Sequence, residues 1–189
     1  MKTTRLIRVN IVFAIFFCTV FILMFSSCKE LYPITKTAEG YTFEIDENQN
    51  ATLIKTDILA ETIEIPSEIS SYKVKKLSCV EEAALVGVSL TGVFEGNNVV
   101  KEIIIPEGVV ETYGPAIANC YNLEKITIPG TMTTFDVVRC DNLKEVNIVD
   151  GDTITESFSF SDCSGLEEIY LPKQINKIST NAFARCYSL

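Results

Sequence analysis

Histidine and tryptophan are both absent from the 189-residue sequence. Without imidazole the chain lacks the commonest general base, the commonest metal ligand and any nucleophile–histidine dyad. Without indole it lacks the strongest stacking platform for sugars and cations. Positive charge is scarce as well: 16 Lys and Arg stand against 25 Asp and Glu, leaving a net charge of −9. Such a surface repels phosphate backbones, which excludes nucleic acid as a partner. No C-x-x-C pair occurs among the seven cysteines, so a zinc site has too few ligands. The acidic turns DENQN (46–50) and DGD (150–152) lack the D-x-D-x-D-G spacing of a calcium loop. Glu167 and Glu168 are adjacent but belong to a face with other charges and have no catalytic partner in sight. The reading is therefore a non-enzyme with no metal and no cofactor.

What is present starts at the N-terminus. Lys2, Arg5 and Arg8 precede an uncharged run from Val9 to Phe25, followed by two serines and Cys28. A basic region, an apolar region and small residues at the cut make a secretory signal over 1–27. The apolar run is at the short edge of what spans a bilayer, so an uncleaved anchor is the competing reading. Ser26-Ser27-Cys28 resembles a bacterial lipobox, and Lys29-Glu30 resembles the export tag of surface lipoproteins in Bacteroides-type bacteria. That resemblance implies lipidation at Cys28, a tether over 28–40 and an outer membrane lipoprotein exposed at the cell surface. Losing 1–27 removes three cations and no acids, taking the net charge from −9 to −12.

The rest of the chain repeats itself. Cys120, Cys140, Cys163 and Cys186 are 20, 23 and 23 residues apart, and Asn97 stands 23 before the first. Three residues before this column stand Phe94, Ile117, Val137, Phe160 and Phe183; three after it stand Val100, Leu123, Leu143, Leu166 and Leu189. Next come Ile103, Ile126, Val146 and Ile169, then Ile105, Ile128, Ile148 and Leu171, with Pro106, Pro129 and Pro172 closing three of the four strings. A period of 20–29 residues reads as a solenoid. One coil alone cannot offset the entropy of ordering it, at about 1–2 kcal/mol per residue, so coils are stable only when stacked. A degenerate first unit occupies 60–96, with an insert over 78–93. Ahead of it, YTFEIDENQNATLI reads as a β-hairpin over 41–59 that caps the first coil.

The unit LEEIYLPKQINKISTNAFARCYSL resembles BspA-like leucine-rich repeats. The resemblance implies a mostly β solenoid: a right-handed superhelix of short parallel strands and short helical turns over 60–189, about five repeats, the last one incomplete. The final string, NAFARCYSL, stops on the opening leucine of a coil, so the expectation is a fragment of a longer protein. Stacked side chains of the column Asn97, Cys120, Cys140, Cys163 and Cys186 run parallel, which favours buried structural thiols over disulfides. Outward positions of the I-x-I strands hold Ile104, Thr127, Asn147 and Tyr170, with Glu64 before them, and Tyr121 and Tyr187 follow their cysteines. These are the candidate binding residues. The family implies adhesion: a surface protein whose repeats bind a protein or other macromolecule, with membrane contact through the lipid anchor. The alternatives are a surface carbohydrate-binding module, for which Tyr170 is the one exposed strand aromatic, and a scaffold fragment whose activity lies downstream.

Overall fold

Apolar residues at alternate positions give a strand one buried and one open face. That alternation recurs along the whole chain, and almost every element is a short strand. The computed structural model describes residues 33–84, 87–151, 156–171 and 173–189. The signal over 1–27 and the lipidation site Cys28 lie outside the described residues. In chain order come β1 (Ile34–Ala38), β2 (Tyr41–Ile45) and β3 (Asn50–Thr56). The first coil holds β4 (Thr62–Glu64), β5 (Glu68–Ile69) and β6 (Tyr72–Ser78), then β7 (Val80–Ala84) and β8 (Gly87–Thr91). The second holds β9 (Glu102–Ile104), β10 (Glu111–Tyr113) and β11 (Ile117–Ala118). The third holds β12 (Lys125–Ile128) and β13 (Thr134–Val138), the fourth β14 (Glu145–Ile148) and β15 (Ser157–Ser159), the fifth β16 (Glu168–Ile169).

Stacking these coils builds two parallel sheets. The first is a ladder in the order β4-β9-β12-β14-β16. Its register joins Ile63 to Ile103, Ile103 to Ile126, Ile126 to Val146 and Val146 to Ile169. Each rung opens on a shared acceptor. The Glu61 carbonyl takes the N–H groups of Lys101 and Glu102, Lys101 takes those of Glu124 and Lys125, and Glu124 takes those of Lys144 and Glu145. The second sheet runs β3-β6-β10-β13-β15. The family likeness implied short helical turns between the strands, but no helix occurs among the described residues. The reason is local. TTFDVV and ESFSF alternate apolar and polar residues and are rich in β-branched and aromatic side chains, which fit a pleated, half-buried surface.

The N-terminal segment joins this second sheet. β2 and β3 pair antiparallel, and β3 then runs parallel to β6. Where a tether was expected, Ile34–Ala38 pairs antiparallel with β2 along its full length, so the hairpin is a three-stranded meander. The 20-residue spacing from Cys120 to Cys140 also has a structural meaning. β13 is continuous and pairs with both β10 and β11, through Glu111 to Thr134 and Ile117 to Val137. The three extra residues of the second coil, Gly114–Ala116, bulge out between those two pairings. The shorter coil needs no tighter turn, because its strand simply runs on.

The core lies between the sheets. Val100, Leu123, Leu143 and Leu166 are fully buried, as are Phe94, Ile117, Val137 and Phe160. Phe135, Phe158, Phe160 and Phe183 interlock across three coils, with ring centroids 5.6–6.2 Å apart. The column Asn97, Cys120, Cys140 and Cys163 is buried, while Cys186 is partly open, and the cysteines carry thiols. Thiols donate to carbonyls of the coil before: Cys120 to Phe94, Cys163 to Val137 and Cys186 to Phe160. Asn97 does more in the same place. Its amide nitrogen donates to the Ile58 carbonyl at 2.9 Å, and its oxygen accepts from Val99 and Val100.

The residue before each member of this column is left-handed: Gly96 at φ 74°, Asn119 at 56°, Arg139 at 55°, Asp162 at 60° and Arg185 at 60°. Gly96, Asn119 and Asp162 are residue types suited to it; Arg139 and Arg185 are not. A Cβ on Gly96 would meet nothing within 4 Å, so strain alone sets the cost of filling it. Gly96→Ala is expected to destabilise by about 1 kcal/mol and Gly96→Asn by less, measured by denaturant unfolding. Hydrogen bonding to the neighbouring thiols, and then burial, push the Cys140 and Cys163 thiols up. In the native protein, iodoacetamide should therefore modify Cys186 ahead of Cys120, Cys140 and Cys163, read by peptide mass spectrometry.

Candidate functional site

The ladder β4-β9-β12-β14-β16 buries one face and opens the other. Each strand offers two outward positions, so the open face carries two columns. The first is Thr62, Glu102, Lys125, Glu145 and Glu168, set by direct register. The second begins Glu64, Ile104, Thr127, Asn147. Tyr170 continues it, one residue past the Val146–Ile169 pairing.

The first column is a charge ladder. The Thr62 hydroxyl donates to Glu102, and Lys125 bridges Glu102 at 3.9 Å and Glu145 at 2.9 Å. Beside it, Lys101 pairs with Glu61 at 2.8 Å. The carboxylates around Lys125 and Lys101 hold both ammonium groups above their ordinary values. These side chains are exposed, so the pairs contribute little stability; they favour one register over another. The ladder fails at one step, where Glu145 lies directly opposite Glu168. Glu168 also holds the Tyr170 phenol above its usual value by accepting its hydrogen bond.

The second column has a different character. Among the described residues the Thr127 hydroxyl and the Asn147 amide have no hydrogen-bond partner. Asn147 and Tyr170 line an open groove of about 830 Å³ together with Lys144, Glu145, Glu167 and Glu168. Tyr170 is 71% exposed. An uncommitted amide beside an open phenol ring offers hydrogen bonding and stacking to a ligand.

The remaining sequence candidates lie elsewhere. Tyr121 and Tyr187 are exposed in the turns that follow the buried column. They share a turn position but are three coils apart, or about 14 Å at strand spacing. Ser164, bonded to Asp141 at 3.2 Å, lies in the turn column between them. The Tyr121 hydroxyl turns back to Asn119 at 3.4 Å. Neither tyrosine joins the ladder face. The Asn97–Cys163 column sits in the core and offers no surface. Sequence reasoning missed Tyr113, which is 68% exposed on the second sheet. Its signal was the alternation Glu111-Thr112-Tyr113, which buries Thr112 and turns the tyrosine outward.

Glu168→Lys replaces the one like-charge step with an opposite pair. It is expected to raise the melting temperature by about 1–3 °C at low salt, and the gain should vanish near 1 M salt. A melting curve at each salt concentration checks both.

Several known proteins resemble this arrangement. The family model described as "BspA type Leucine rich repeat region" matches residues 89–189 in six copies. No curated protein matches the chain. Among solved structures, a leucine rich cell surface protein of Faecalibacterium prausnitzii A2-165 is 19% identical, with a TM-score of 0.42 over 83% of this chain. The chain spans only 53% of that protein's length. A leucine-rich repeat protein of Bacteroides capillosus ATCC 29799 is 20% identical, with a TM-score of 0.47 over 77% of this chain and 87% of its own. The leucine rich repeat protein of T. pallidum is 15% identical, with a TM-score of 0.43 over 82% of this chain and 91% of its own. With more than half of its length matched by that family model, the chain belongs to the BspA-type leucine-rich repeat family.

Proposed function

We propose that this is a cell-surface protein that binds another macromolecule through the open face of its strand ladder, in the manner of an adhesin. The observation that carries this reading is the second outward column. Glu64, Ile104, Thr127, Asn147 and Tyr170 stand in register on a five-stranded support, and among the described residues the Thr127 and Asn147 side chains have no hydrogen-bond partner. Solenoids use such extended faces for recognition, because many shallow contacts add along the stack. The sequence supports the location: a signal over 1–27, Cys28 as the lipidated residue and the Lys29-Glu30 tag suit an outer membrane lipoprotein facing outward. The carboxylates of the ladder face, Glu64, Glu102, Glu145 and Glu168, favour a basic or neutral protein surface against that face.

Carbohydrate binding is the second reading, favoured by one observation: the groove pairs the Tyr170 ring with the Asn147 amide and the Glu168 carboxylate. A single experiment separates the two. Full-length protein is applied in parallel to an array of matrix and cell-surface proteins and to a glycan array. The primary reading expects a protein ligand whose affinity falls at least tenfold in a Thr127→Ala, Asn147→Ala, Tyr170→Ala variant, with surface display on intact cells lost in Cys28→Ser. Sugar binding abolished by Tyr170→Ala would establish the second reading instead. A ligand of either kind that is indifferent to the triple variant would remove the ladder face from consideration.

A further inference from the structure

A second interaction surface lies away from the strand ladder, where two irregularities of the solenoid meet. The first is the β7–β8 hairpin, inserted into the first coil. The second is the Gly114–Ala116 bulge of the coil above. They are fitted to each other. On one side the Cys79 N–H donates to the Tyr113 carbonyl at 3.1 Å; on the other the Val93 N–H donates to the Ala116 carbonyl at 2.8 Å. Two glycines allow this closeness. A Cβ on Gly92 would lie 2.7 Å from the Pro115 carbonyl oxygen, and one on left-handed Gly114 would lie 2.6 Å from the Cys79 sulfur. The break in the sheet is sealed as well, since the Thr112 hydroxyl accepts the Asp136 N–H at 3.0 Å.

Beside this junction lies a cleft of about 460 Å³. Leu90 of the hairpin, Pro115 of the bulge, Ala118 and Val138 supply aliphatic walls, and Arg139 stands at the rim. Leu90 is 45% exposed there. The charges around the rim are already assigned, except one. Both oxygens of Glu95 accept from the Asn119 amide at 3.0 Å. Asp162, the acid nearest to Arg139 along the stack, is clamped by both guanidinium arms of Arg185. Arg139 itself makes no close ion pair among the described residues; its charge reaches Asp162 only through space, beyond the Arg185 clamp. Finally, β8 pairs with β7 alone among the described residues, which leaves its other edge open to an added strand.

We infer that this cleft docks an extended acidic peptide segment of a protein partner, an aliphatic side chain entering between Leu90, Pro115 and Val138 while a neighbouring carboxylate pairs with Arg139. The charge complementarity sets the sign: in an acidic protein, the one uncommitted guanidinium beside an apolar wall selects a carboxylate, which its planar fork holds with two parallel hydrogen bonds. The walls set the class. They are aliphatic and contain no aromatic ring, which suits a peptide side chain and gives a sugar nothing to stack on. Insertions in solenoids gather on one face, and that face is often the one that binds.

The test is selection of linear peptides from a display library on the full-length chain. Enriched peptides are expected to carry Asp or Glu within two positions of Leu, Ile or Val. Their affinity should fall at least tenfold with Arg139→Glu or Leu90→Asp, and stay unchanged with Tyr170→Ala, which keeps this surface separate from the ladder face. Replacing the peptide acid with Lys should restore binding to Arg139→Glu. Arg139→Gln, with a melting temperature matched to the parent, guards against loss through misfolding and should also weaken binding. No enrichment, enriched peptides without an acid, or binding indifferent to Arg139 and Leu90 would overturn the proposal. Capture of a glycan in an Arg139-dependent way would overturn it too.

Discussion

Everything in this molecule depends on parallel backbone pairing between successive coils. A coil of some two dozen residues presents a few inward side chains, and most of their surface can be covered only by the same positions one coil away. The Glu61, Lys101 and Glu124 carbonyls that each accept two N–H groups show how tightly this repeats. Once those hydrogen bonds set the register, the leucine, isoleucine and phenylalanine columns close without further instruction. The thiol column serves the same end. A small apolar side chain fills the turn and its S–H reaches a carbonyl in the coil below, while Asn97 replaces it at the start of the stack, where there is still the Ile58 carbonyl to bind.

Regular pairing also explains where irregularity can be housed. A bulge or insertion inside the first ladder would shift every inward residue to the wrong face. The ladder β4-β9-β12-β14-β16 accordingly contains no register shift. The second sheet tolerates change because its strands end at exposed turns. There the first coil carries a hairpin and the second a three-residue bulge, and the third returns to a continuous strand. The two departures are adjacent and share hydrogen bonds and glycine contacts, so the strain of one is taken up by the other. A smooth solenoid offers only shallow faces; this pair of departures makes a cleft.

The repeat was legible because its period is carried by residue types with strong burial preference. Leu123, Leu143 and Leu166, and Ile103, Ile126 and Val146, align by counting alone, and the paired strands follow. The second sheet was not legible in the same way. TTFDVV and ESFSF carry a two-residue period, but each is too short to stand out from a turn, and the family likeness implied short helical turns between the ladder strands. The left-handed column was hidden at Arg139 and Arg185, which do not advertise that conformation; Arg139 is held in it by its N–H bond to the Ser161 carbonyl of the next coil. The inserted hairpin was visible as extra length, but nothing in SCVEEAALVGVSLTGV says that Gly92 must press on the next coil. For the ladder face, outward positions followed from the period, whereas Tyr121 and Tyr187 were assigned to a surface they do not share, because a residue just after a turn column has no alternation to orient it.

The contrast between inward and outward columns bears on how such a chain acquires a partner. Ile103, Ile126 and Val146 are nearly interchangeable, since each must fill the same space between two equivalents of itself, and Ile63 and Ile169 end the column. Their outward neighbours Glu64, Ile104, Thr127, Asn147 and Tyr170 share no chemistry at all. Backbone pairing supplies the register, so an outward side chain can change without altering the rung that presents it. Outward variation therefore costs the fold little, and belonging to the family leaves the ligand open. By the same logic the chemistry of recognition belongs where a side chain is present without a structural duty. Thr127, Asn147 and Arg139 come nearest to that condition: each can form directed hydrogen bonds, and among the described residues none has a side-chain hydrogen bond or close ion pair.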